Sequence, residues 1–450
     1  MAKGPFPHED SVGLETVCSS PDDTTNSEPE LESEAARKAR LGRNIRACAQ
    51  VLGAFFVCFN IWGLNFAFGS FQSFYALTYI PSSSSSSISW VGTFQSWLMI
   101  ACGLISGPLF DMGFFWSMMI SGTLLSVLGF MMLSLSKEYY AIFLSQGITI
   151  GLGFGLLYVP TIALISRRFS RNRAVALGVA TSGAPAGGII YTVIFNQLIA
   201  RVGFGWTVRV MAFVMLAFFI LAALFLTLEP SVENDQSTDK PRRLFDARAM
   251  KDLPFWIFSI ANFLIYLGYI TPYYYIPTYA QTQLHTSRST GSYILMGSQA
   301  ASIIGRVLTT ILAHRLGSMV SWILCGILSG VLCLSWISAS SIARFVVFVA
   351  FYGAISGALV PLPPSVFAHV CPDPELIGTW LGMAQSISGF ASLIGSPIAG
   401  ALASINSQGS EDLNFLGIQL FGGITMTLGA CSLFFLWYLL YTRRGKKGLF

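Results

Sequence analysis

Apolar and polar stretches alternate along most of the chain in a pattern typical of membrane helices. A helix needs roughly 20 mostly apolar residues to cross the hydrocarbon core of a bilayer. Twelve stretches of this kind are present, at residues 47–69, 88–107, 114–135, 140–165, 174–198, 207–228, 254–278, 290–313, 319–337, 343–367, 378–403 and 415–441. The pattern therefore predicts an all-α integral membrane protein with twelve transmembrane helices.

Polar stretches divide the chain into five predicted parts. Residues 229–252 separate the first six apolar stretches from the last six. A weak echo, GPLFDMG at 107–113 and ILAHRLG at 311–317, marks the connection between the second and third helix of each half, as parallel repeats would require. The predicted parts are a disordered acidic cytosolic tail at 1–44, an N-terminal six-helix bundle at 45–228, a cytosolic central loop at 229–252, a C-terminal six-helix bundle at 253–442 and a basic cytosolic tail at 443–450.

The composition supports a membrane location. Hydrophobic residues make up 54% of the chain and charged residues only 10%, whereas a soluble domain has about 25% charged residues. Nine of the 21 acidic residues lie within the first 34 positions, where no apolar periodicity is present. This tail is predicted to be disordered, and it does not have the pattern of a signal peptide.

Lysine and arginine residues set the expected orientation, because they concentrate in cytosolic loops. If both termini face the cytosol, 20 of the 26 basic residues lie on the cytosolic side and five on the opposite side. The remaining one, Arg306, lies inside the eighth apolar stretch. We therefore expect cytosolic termini.

Patterns of catalytic, metal-binding or nucleotide-binding residues are absent from the sequence. The four His residues are scattered, and no P-loop or dinucleotide fingerprint occurs. Five cysteines lie within apolar stretches and are predicted to be buried thiols, namely Cys58, Cys102, Cys325, Cys333 and Cys431. We expect no enzyme activity, no cofactor, no metal and no nucleic-acid partner, and a small molecule and the lipid bilayer as partners.

Six stretches spread over both halves of the chain carry a family resemblance. They are NIWGLNFAFGSFQSFY at 60–75, ISWVGTFQSWL at 88–98, GPLFDMG at 107–113, FSRNRAVALGVATSGAPAGGIIY at 169–191, GFGWTVRVMAF at 203–213 and IGTWLGMAQSISGFASLIGSPIAGAL at 377–402. Together they resemble the major facilitator superfamily, and within it the monocarboxylate-transporter family, particularly its fungal branch. The resemblance covers nearly all of 51–441 and is most specific around Arg173.

This resemblance implies a twelve-helix alternating-access carrier for small organic acids, often proton-coupled; relatives move other metabolites, including vitamins and fungal secondary metabolites. The family's substrate-binding arginine of helix 8 corresponds to Arg306, and its arginine at the cytosolic start of helix 5 corresponds to Arg173. Two positions differ. Ser70 stands where the animal transporters have a lysine in helix 1, and Ser302 stands where they have an aspartate one turn before the helix 8 arginine. Both differences weigh against proton-coupled lactate transport and leave the architecture unaffected.

Arg306 is the strongest candidate for substrate binding. It precedes Arg315 by nine residues, which places it about 13 Å from the cytosolic end of its helix. A charge at this depth costs at least ~2.5–3.5 kcal/mol on insertion scales, and no acidic residue falls inside a predicted span to neutralise it. A bound anion would supply the partner. The alternative is that backbone carbonyls or a wetted cleft hold the guanidinium, and that Arg306 only shapes the helix.

Further polar residues extend the candidate binding site. Gln299 and Ser302 lie on the same face of the helix as Arg306. Asn65 and Ser70 make helix 1 more polar than a helix that faces lipid. Hydrogen bonding between helices is the alternative role for all four residues.

Helix 7 carries Asn262, Tyr266, Tyr269 and Tyr273 on one face. We interpret Asn262, Tyr266 and Tyr269 as lining the cavity, and Pro272 as a site where the helix can bend or break. An aromatic belt at the membrane interface is the interpretation we favour for Tyr274, Tyr275 and Tyr279.

Gating is predicted at the cytosolic side and on helix 5. The carboxylate of Asp111 could cap a neighbouring helix N-terminus, and Arg173 begins helix 5. Gly178, Gly183 and Gly187 permit close helix contact, which we interpret as a structural surface on which the helices rock.

Three functions remain compatible with these patterns. The first is a gradient-driven carrier of a small organic anion, and the second is an exporter of a fungal secondary metabolite whose acidic group binds Arg306. The third, a non-transporting nutrient sensor, is disfavoured because the tails are short. The plasma membrane is the expected location, with the vacuolar membrane as the alternative.

Overall fold

The computed structural model is helical throughout the residues that it describes, which are 34–75, 79–80, 85–169, 173–227, 246–373, 376–405 and 415–444, and no strand is present among them. The α-helices are α1 Glu34–Phe74, α2 Ser85–Ala101, α3 Gly103–Asp111, α4 Phe115–Leu133, α5 Tyr139–Ile142, α6 Gly151–Arg168, α7 Arg173–Thr181, α8 Gly183–Leu226, α9 Ala247–Lys251, α10 Leu253–Thr282, α11 Arg288–Leu316, α12 Ser318–Ser335, α13 Ile342–Ser356, α14 Leu362–Val370, α15 Ile377–Ile405 and α16 Leu416–Arg444. A π-helical segment, Phe143–Ile150, joins α5 to α6.

Ten stretches of the described helices are long and apolar enough to cross a membrane, which confirms the prediction of an all-α membrane protein. The predicted count of twelve differs from ten in two places. The fifth and sixth predicted stretches are joined in Arg173–Leu226. Gly203, with φ of 74°, interrupts the helical backbone of α8 there, a conformation open to glycine because it has no Cβ. The eleventh predicted stretch is helical as α15 but is not among the ten.

The first helix begins inside the predicted N-terminal tail. Residues 34–44 are helical, so the prediction of disorder is wrong for this part of 1–44. The physical reason is local, since Ala, Arg, Lys and Leu dominate this stretch and are strong helix formers. Residues 1–33, most of the central loop and the end of the basic tail lie outside the described residues.

Exposed apolar side chains form stripes along several helices. On α4 the stripe consists of Ile120, Leu124, Leu128 and Met132, which recur every four residues and are all exposed. A continuous apolar stripe of this kind suits lipid contact rather than water. Of the five cysteines predicted to be buried, Cys431 is exposed and the other four are buried.

Helices from the two predicted bundles pack against each other in the interior. α2 and α3 contact α15, and α7 and α8 contact α11. The echo between the two halves has a structural counterpart, because Gly113 after α3 and Gly317 after α11 have φ values of 90° and 89°. Each glycine turns the chain in the same way into the next helix.

Candidate functional site

Arg306 lies at the centre of the candidate site. Its side chain is 0% exposed, although Ile304, Val307 and Leu308 on the same helix are exposed. The guanidinium Nη1 donates a hydrogen bond to the backbone carbonyl of Thr181, the last residue of α7. The Nε and Nη2 atoms have no partner among the described residues. One of the three guanidinium nitrogens is therefore held by a backbone carbonyl, as the alternative to a bound anion proposed. The other two nitrogens remain available to bind an anion.

The surroundings of Arg306 are polar but neutral. No carboxylate in the described part of the chain forms an ion pair with Arg306. Thiols and phenols, which are uncharged at neutral pH, lie within electrostatic range of its charge on α1, α6 and α10: Cys58, Tyr158, Tyr266, Tyr269 and Tyr273. Arg306 is thus a buried charge that has no carboxylate partner among the residues described here.

A row of tyrosines on α10 leads to Arg306. The rings of Tyr266, Tyr269 and Tyr273 follow one another with centroid separations of 5.9 and 5.5 Å. The Tyr273 hydroxyl lies 2.9 Å from Ser356 Oγ, whereas the Tyr269 hydroxyl lies near the guanidinium and makes no well-formed hydrogen bond with the described residues. The α10 helix stays continuous through Pro272, so the row lies on one uninterrupted face.

A narrow, mostly apolar cleft, with room for about one water molecule, lies between α1, α2 and α10. Asn65 borders it, donating to the Ile61 carbonyl at 3.0 Å and accepting from Ser96 Oγ at 2.6 Å. Tyr273 belongs both to this cleft and to the tyrosine row. The complete lining is Trp62, Asn65, Phe66, Ser96, Ile270, Tyr273 and Tyr274. In this state the cleft is too narrow for a ring-containing small molecule, which would need it to widen.

The belt interpretation is wrong for Tyr279. This residue is buried, its ring packs edge-on against Trp336 at 5.2 Å, and its hydroxyl donates to the Ala339 carbonyl at 3.0 Å. Tyr274 lines the cleft instead of facing the interface. The run of tyrosines looked interfacial in the sequence because it lies near a helix end, and tertiary packing buries it.

The remaining predicted binding residues differ in burial and in the contacts they make. Gln299 and Ser302 are buried on α11, and Ser302 lies against Gly357, where an added Cβ would meet its hydroxyl. This contact favours the helix-packing role for Ser302. Ser70 is half-buried near the end of α1.

Asn262 connects two helices. Its amide Nδ2 donates to Ser388 Oγ at 2.8 Å and to Gln385 Oε1 at 3.2 Å, both on α15. Asn262 is fully buried. These bonds favour hydrogen bonding between helices over a cavity-lining role.

Asp111 caps the beginning of α15. Its Oδ2 accepts from the backbone N–H of Thr379 at 2.6 Å and from the Thr379 hydroxyl at 2.7 Å. A carboxylate is stabilised at a helix N-terminus by the unpaired N–H groups and the helix dipole. The capping geometry that the sequence suggested is present.

Beside this cap, α3 and α15 meet through glycines that the sequence analysis did not select. Gly103 and Gly107 on α3 face Gly378 and Gly382 on α15, and a Cβ at Gly107 or Gly382 would overlap the carbonyl of the facing helix. We call this close approach the α3–α15 contact. The small-xxx-small spacing of GLISG and GTWLG was the signal that could have identified it.

Asp246, also missed from the sequence, holds the same end of α15. It accepts from the Trp380 indole N–H at 3.0 Å and forms an ion pair with Arg248 at 3.0 Å. Burial raises the pKa of Asp246, but hydrogen bonds from Arg248 and Trp380 outweigh burial and hold the pKa below its usual value. Two carboxylates thus bind adjacent residues at the start of one helix.

Arg173 joins the ends of two helices. Its Nε donates to the Ser166 carbonyl at 2.7 Å, near the end of α6. Gly178 is buried on α7, the helix that contacts α11.

Gly183 and Gly187 pack against α1. A Cβ on either residue would overlap a carbonyl oxygen of α1, that of Phe55 or Phe59. Because α1 and α8 belong to the same predicted bundle, these two glycines make their close contact within that bundle, and their role as a rocking surface stays a prediction. They hold two neighbouring helices at close range.

A group of three His, Cys, Asp or Glu side chains suitable for a metal is absent from the described residues.

Comparison with protein families gives one match over most of the chain. The family model described as Major Facilitator Superfamily matches residues 51–343. A curated relative called MFS-type transporter dbaD, from Emericella nidulans, is 34% identical over 381 residues, covering 84% of this chain and 83% of the relative. Another, the Agnestins efflux protein AgnL12 of Paecilomyces divaricatus, is 33% identical over 385 residues, covering 86% of each.

A solved structure with the same fold is that of the transporter FucP in the outward conformation. Its TM-score is 0.64 at 15% sequence identity, and the match covers 86% of this chain and 98% of that one. At this identity the likeness concerns the fold alone.

Proposed function

The chain belongs to the Major Facilitator Superfamily and is a multi-pass membrane transporter, and we propose that it exports a fungal secondary metabolite that carries an acidic group. The direction of transport is proposed because a relative that aligns over most of both chains bears an efflux name. The acidic group is proposed from the chain's own residues. The single observation that supports it is the buried Arg306 guanidinium, which has no carboxylate partner in the described part of the chain and two unpartnered nitrogens.

Electrostatics explains why an anion fits this place. A guanidinium removed from water is stabilised when an anion accepts its N–H groups, and Arg–carboxylate pairs are frequently bidentate. The groups around Arg306 are phenols, a thiol and one backbone carbonyl, and none of them carries a negative charge at neutral pH. The aromatic side chains around Tyr273 would contact the apolar body of the molecule once movement of the bundles widens this cleft.

The contacts at the start of α15 support a mechanism of alternating access. The Asp111 cap and the α3–α15 contact close what the charge pattern assigns as the cytosolic end. Substrate would enter when this end opens, bind Arg306, and leave past the aromatic cleft on the opposite side. Arg173, which bridges α6 and α7, would steady the cytosolic end of helix 5 during this movement.

The proposal is tested by deleting the gene in its native host and complementing the deletion. Deletion should lower an acidic metabolite in the medium and raise it inside the cells, as measured by mass spectrometry of both fractions. Complementation with wild type should restore export, whereas Arg306→Ala should leave it at least tenfold lower, because one charge-assisted interaction contributes about 1.5–3 kcal/mol. Arg201→Ala, which removes an exposed arginine, is the matched control. Wild-type export by Arg306→Ala at equal protein level would refute the anion site.

Uptake of a small organic anion is the second candidate function. It is supported by the resemblance of stretches such as 169–191 to the monocarboxylate-transporter family. Proton coupling and a plasma-membrane location with cytosolic termini belong to this proposal as well as to the first. Loss of an importer would lower the intracellular anion and leave secreted metabolites unchanged, so the same deletion separates the two candidates.

A further inference from the structure

The carbonyl that binds Arg306 is left unpaired by the sequence of its own helix. In an α-helix the carbonyl of residue i accepts from the N–H of residue i+4. Four residues after Thr181 stands Pro185, which has no backbone N–H. The Thr181 carbonyl therefore lacks its usual α-helical donor, although α7 passes into α8 at this point with Ser182 still in a helical conformation.

The two side-chain hydroxyls of this turn are already paired within their own helix. The Thr181 hydroxyl donates to the Gly178 carbonyl at 3.3 Å, and the Ser182 hydroxyl donates to the Val179 carbonyl at 2.6 Å. An unpaired carbonyl away from water is costly. The donor comes from a different part of the chain, Nη1 of Arg306 on α11.

This bond also fixes which edge of the guanidinium is available. Nε and Nη2 are the two nitrogens without a partner among the described residues, and they lie side by side on one edge of the planar group. A carboxylate can accept from two parallel N–H groups on one guanidinium edge. Anchoring Nη1 thus orients the group so that a bidentate edge remains free.

We propose that Pro185 is a positioning residue for Arg306: by removing one N–H, it frees the Thr181 carbonyl to anchor the guanidinium across α7 and α11. The inference rests on the proposed function in that the free edge is assigned to the acidic substrate. Since α7 and α11 belong to different predicted bundles, the anchor also links the two halves. It is broken while the halves are apart and substrate enters, and it forms as the α3–α15 contact closes, so it orients the free edge toward the bound molecule in the closed state.

The test restores the missing donor. Pro185→Ala supplies an N–H that can satisfy the Thr181 carbonyl within the helix, so the hold on Arg306 should weaken while Arg306 itself is unchanged. The matched control is Pro160→Ala, which removes another buried proline inside a helix, α6. The carbonyl four residues before Pro160 belongs to Leu156, and Arg306 forms no bond to it.

The readout is the distance between spin labels at Phe114→Cys and Arg315→Cys, two exposed positions at the predicted cytosolic end, with Cys18, Cys48 and Cys431 replaced by Ser. Pulsed electron paramagnetic resonance on purified protein without substrate gives the ratio of open to closed molecules. We expect Pro185→Ala to raise this ratio about tenfold, Arg306→Met to raise it similarly, and the double variant to add nothing further.

Additive effects in the double variant, or equal shifts in Pro185→Ala and Pro160→Ala, would overturn the anchor. Should Pro185→Ala not fold, Pro185→Gly restores the same N–H and takes its place. This measurement needs no substrate. If the two substitutions are non-additive but deleting the gene changes no metabolite, the anchor stands and the export proposal is rejected. If the substitutions are additive but deletion lowers the secreted metabolite, the anchor is rejected and the export proposal stands.

Discussion

At the scale of single residues, the hydroxyls of the tyrosine row differ in whether another residue of the protein lies within hydrogen-bonding distance. The Tyr273 hydroxyl lies within hydrogen-bonding distance of Ser356, and Tyr352 donates to the Tyr269 carbonyl at 2.9 Å. The Tyr269 hydroxyl makes no well-formed hydrogen bond with the described residues and lies near Arg306. A hydroxyl without a well-formed hydrogen bond contributes little to stability. Beside a guanidinium that has no carboxylate partner, it is placed to bind the substrate.

This difference predicts opposite outcomes for two matched variants. Tyr273→Phe should lower the free energy of unfolding by roughly 1–2 kcal/mol, because it leaves the buried Ser356 hydroxyl without its partner. Tyr269→Phe should leave stability unchanged and lower export of the acidic metabolite. Thermal unfolding in detergent and the complemented deletion strain measure the two effects. Equal loss of stability in both variants would show that the Tyr269 hydroxyl is structural.

At the scale of elements, glycines decide how closely α1 and α8 approach. Gly183 and Gly187 lie against the carbonyls of Phe55 and Phe59, with no room for a Cβ. Such close approach is typical of membrane helices, where small residues let backbones pack directly. The α1–α8 contact is therefore a fixed feature of the predicted N-terminal bundle.

A glycine substitution in this contact should destabilise the protein. Gly187→Ala is expected to lower the free energy of unfolding by roughly 1–3 kcal/mol, since overpacking forces the helices apart. Gly69→Ala in α1, where nothing lies within 4 Å of an added Cβ, should have a much smaller effect. The midpoint of thermal unfolding in detergent measures both, and a Gly187→Ala variant as stable as wild type would contradict the assigned contact.

At the scale of the whole molecule, the start of α15 is where distant segments converge. Asp111 from α3 binds Thr379, and Asp246 from the central loop binds Trp380. Together with the α3–α15 contact, these bonds join the first half of the chain and its central loop to the second half. Opening the predicted cytosolic end requires that the bonds and contacts made by α3 break, whereas the Asp246–Trp380 bond can persist.

Asp111→Asn should shift the molecule toward the open state. The amide oxygen can still accept from the Thr379 N–H, but the loss of charge at the helix N-terminus costs about 1 kcal/mol, which corresponds to roughly a fivefold change in the ratio of open to closed molecules. The spin-label pair at positions 114 and 315 measures this ratio. Thr379→Val is the control, because it keeps the backbone N–H bond and removes only the hydroxyl. A larger shift in the control than in Asp111→Asn would contradict the role of charge.

Trp380→Phe should weaken the other attachment of α15. It keeps an aromatic ring in place and removes the indole N–H that Asp246 accepts. The loss of one hydrogen bond to a charged group is expected to cost about 1.5–3 kcal/mol, seen as a lower midpoint of thermal unfolding. Unchanged stability would show that Arg248 alone satisfies Asp246.

The sequence by itself determined the all-helical membrane class, the positions of the apolar stretches and the buried, unneutralised charge of Arg306. These follow from local quantities, because apolar length, charge distribution and glycine spacing act within one helix or at one depth of the bilayer. The capping role of Asp111 was also accessible, since its position beside a helix end restricts what its carboxylate can meet.

Tertiary structure alone decided which residues meet across helices. The bond from Arg306 to Thr181, the bonds from Asn262 to α15, the burial of Tyr279 and the attachment of Trp380 to Asp246 join residues 60 or more positions apart. Sequence periodicity gives the face of a helix but not the helix that this face contacts. The partner is selected by packing of the complete set of helices, which leaves the Thr181 carbonyl next to the one buried guanidinium in the described residues that can satisfy it.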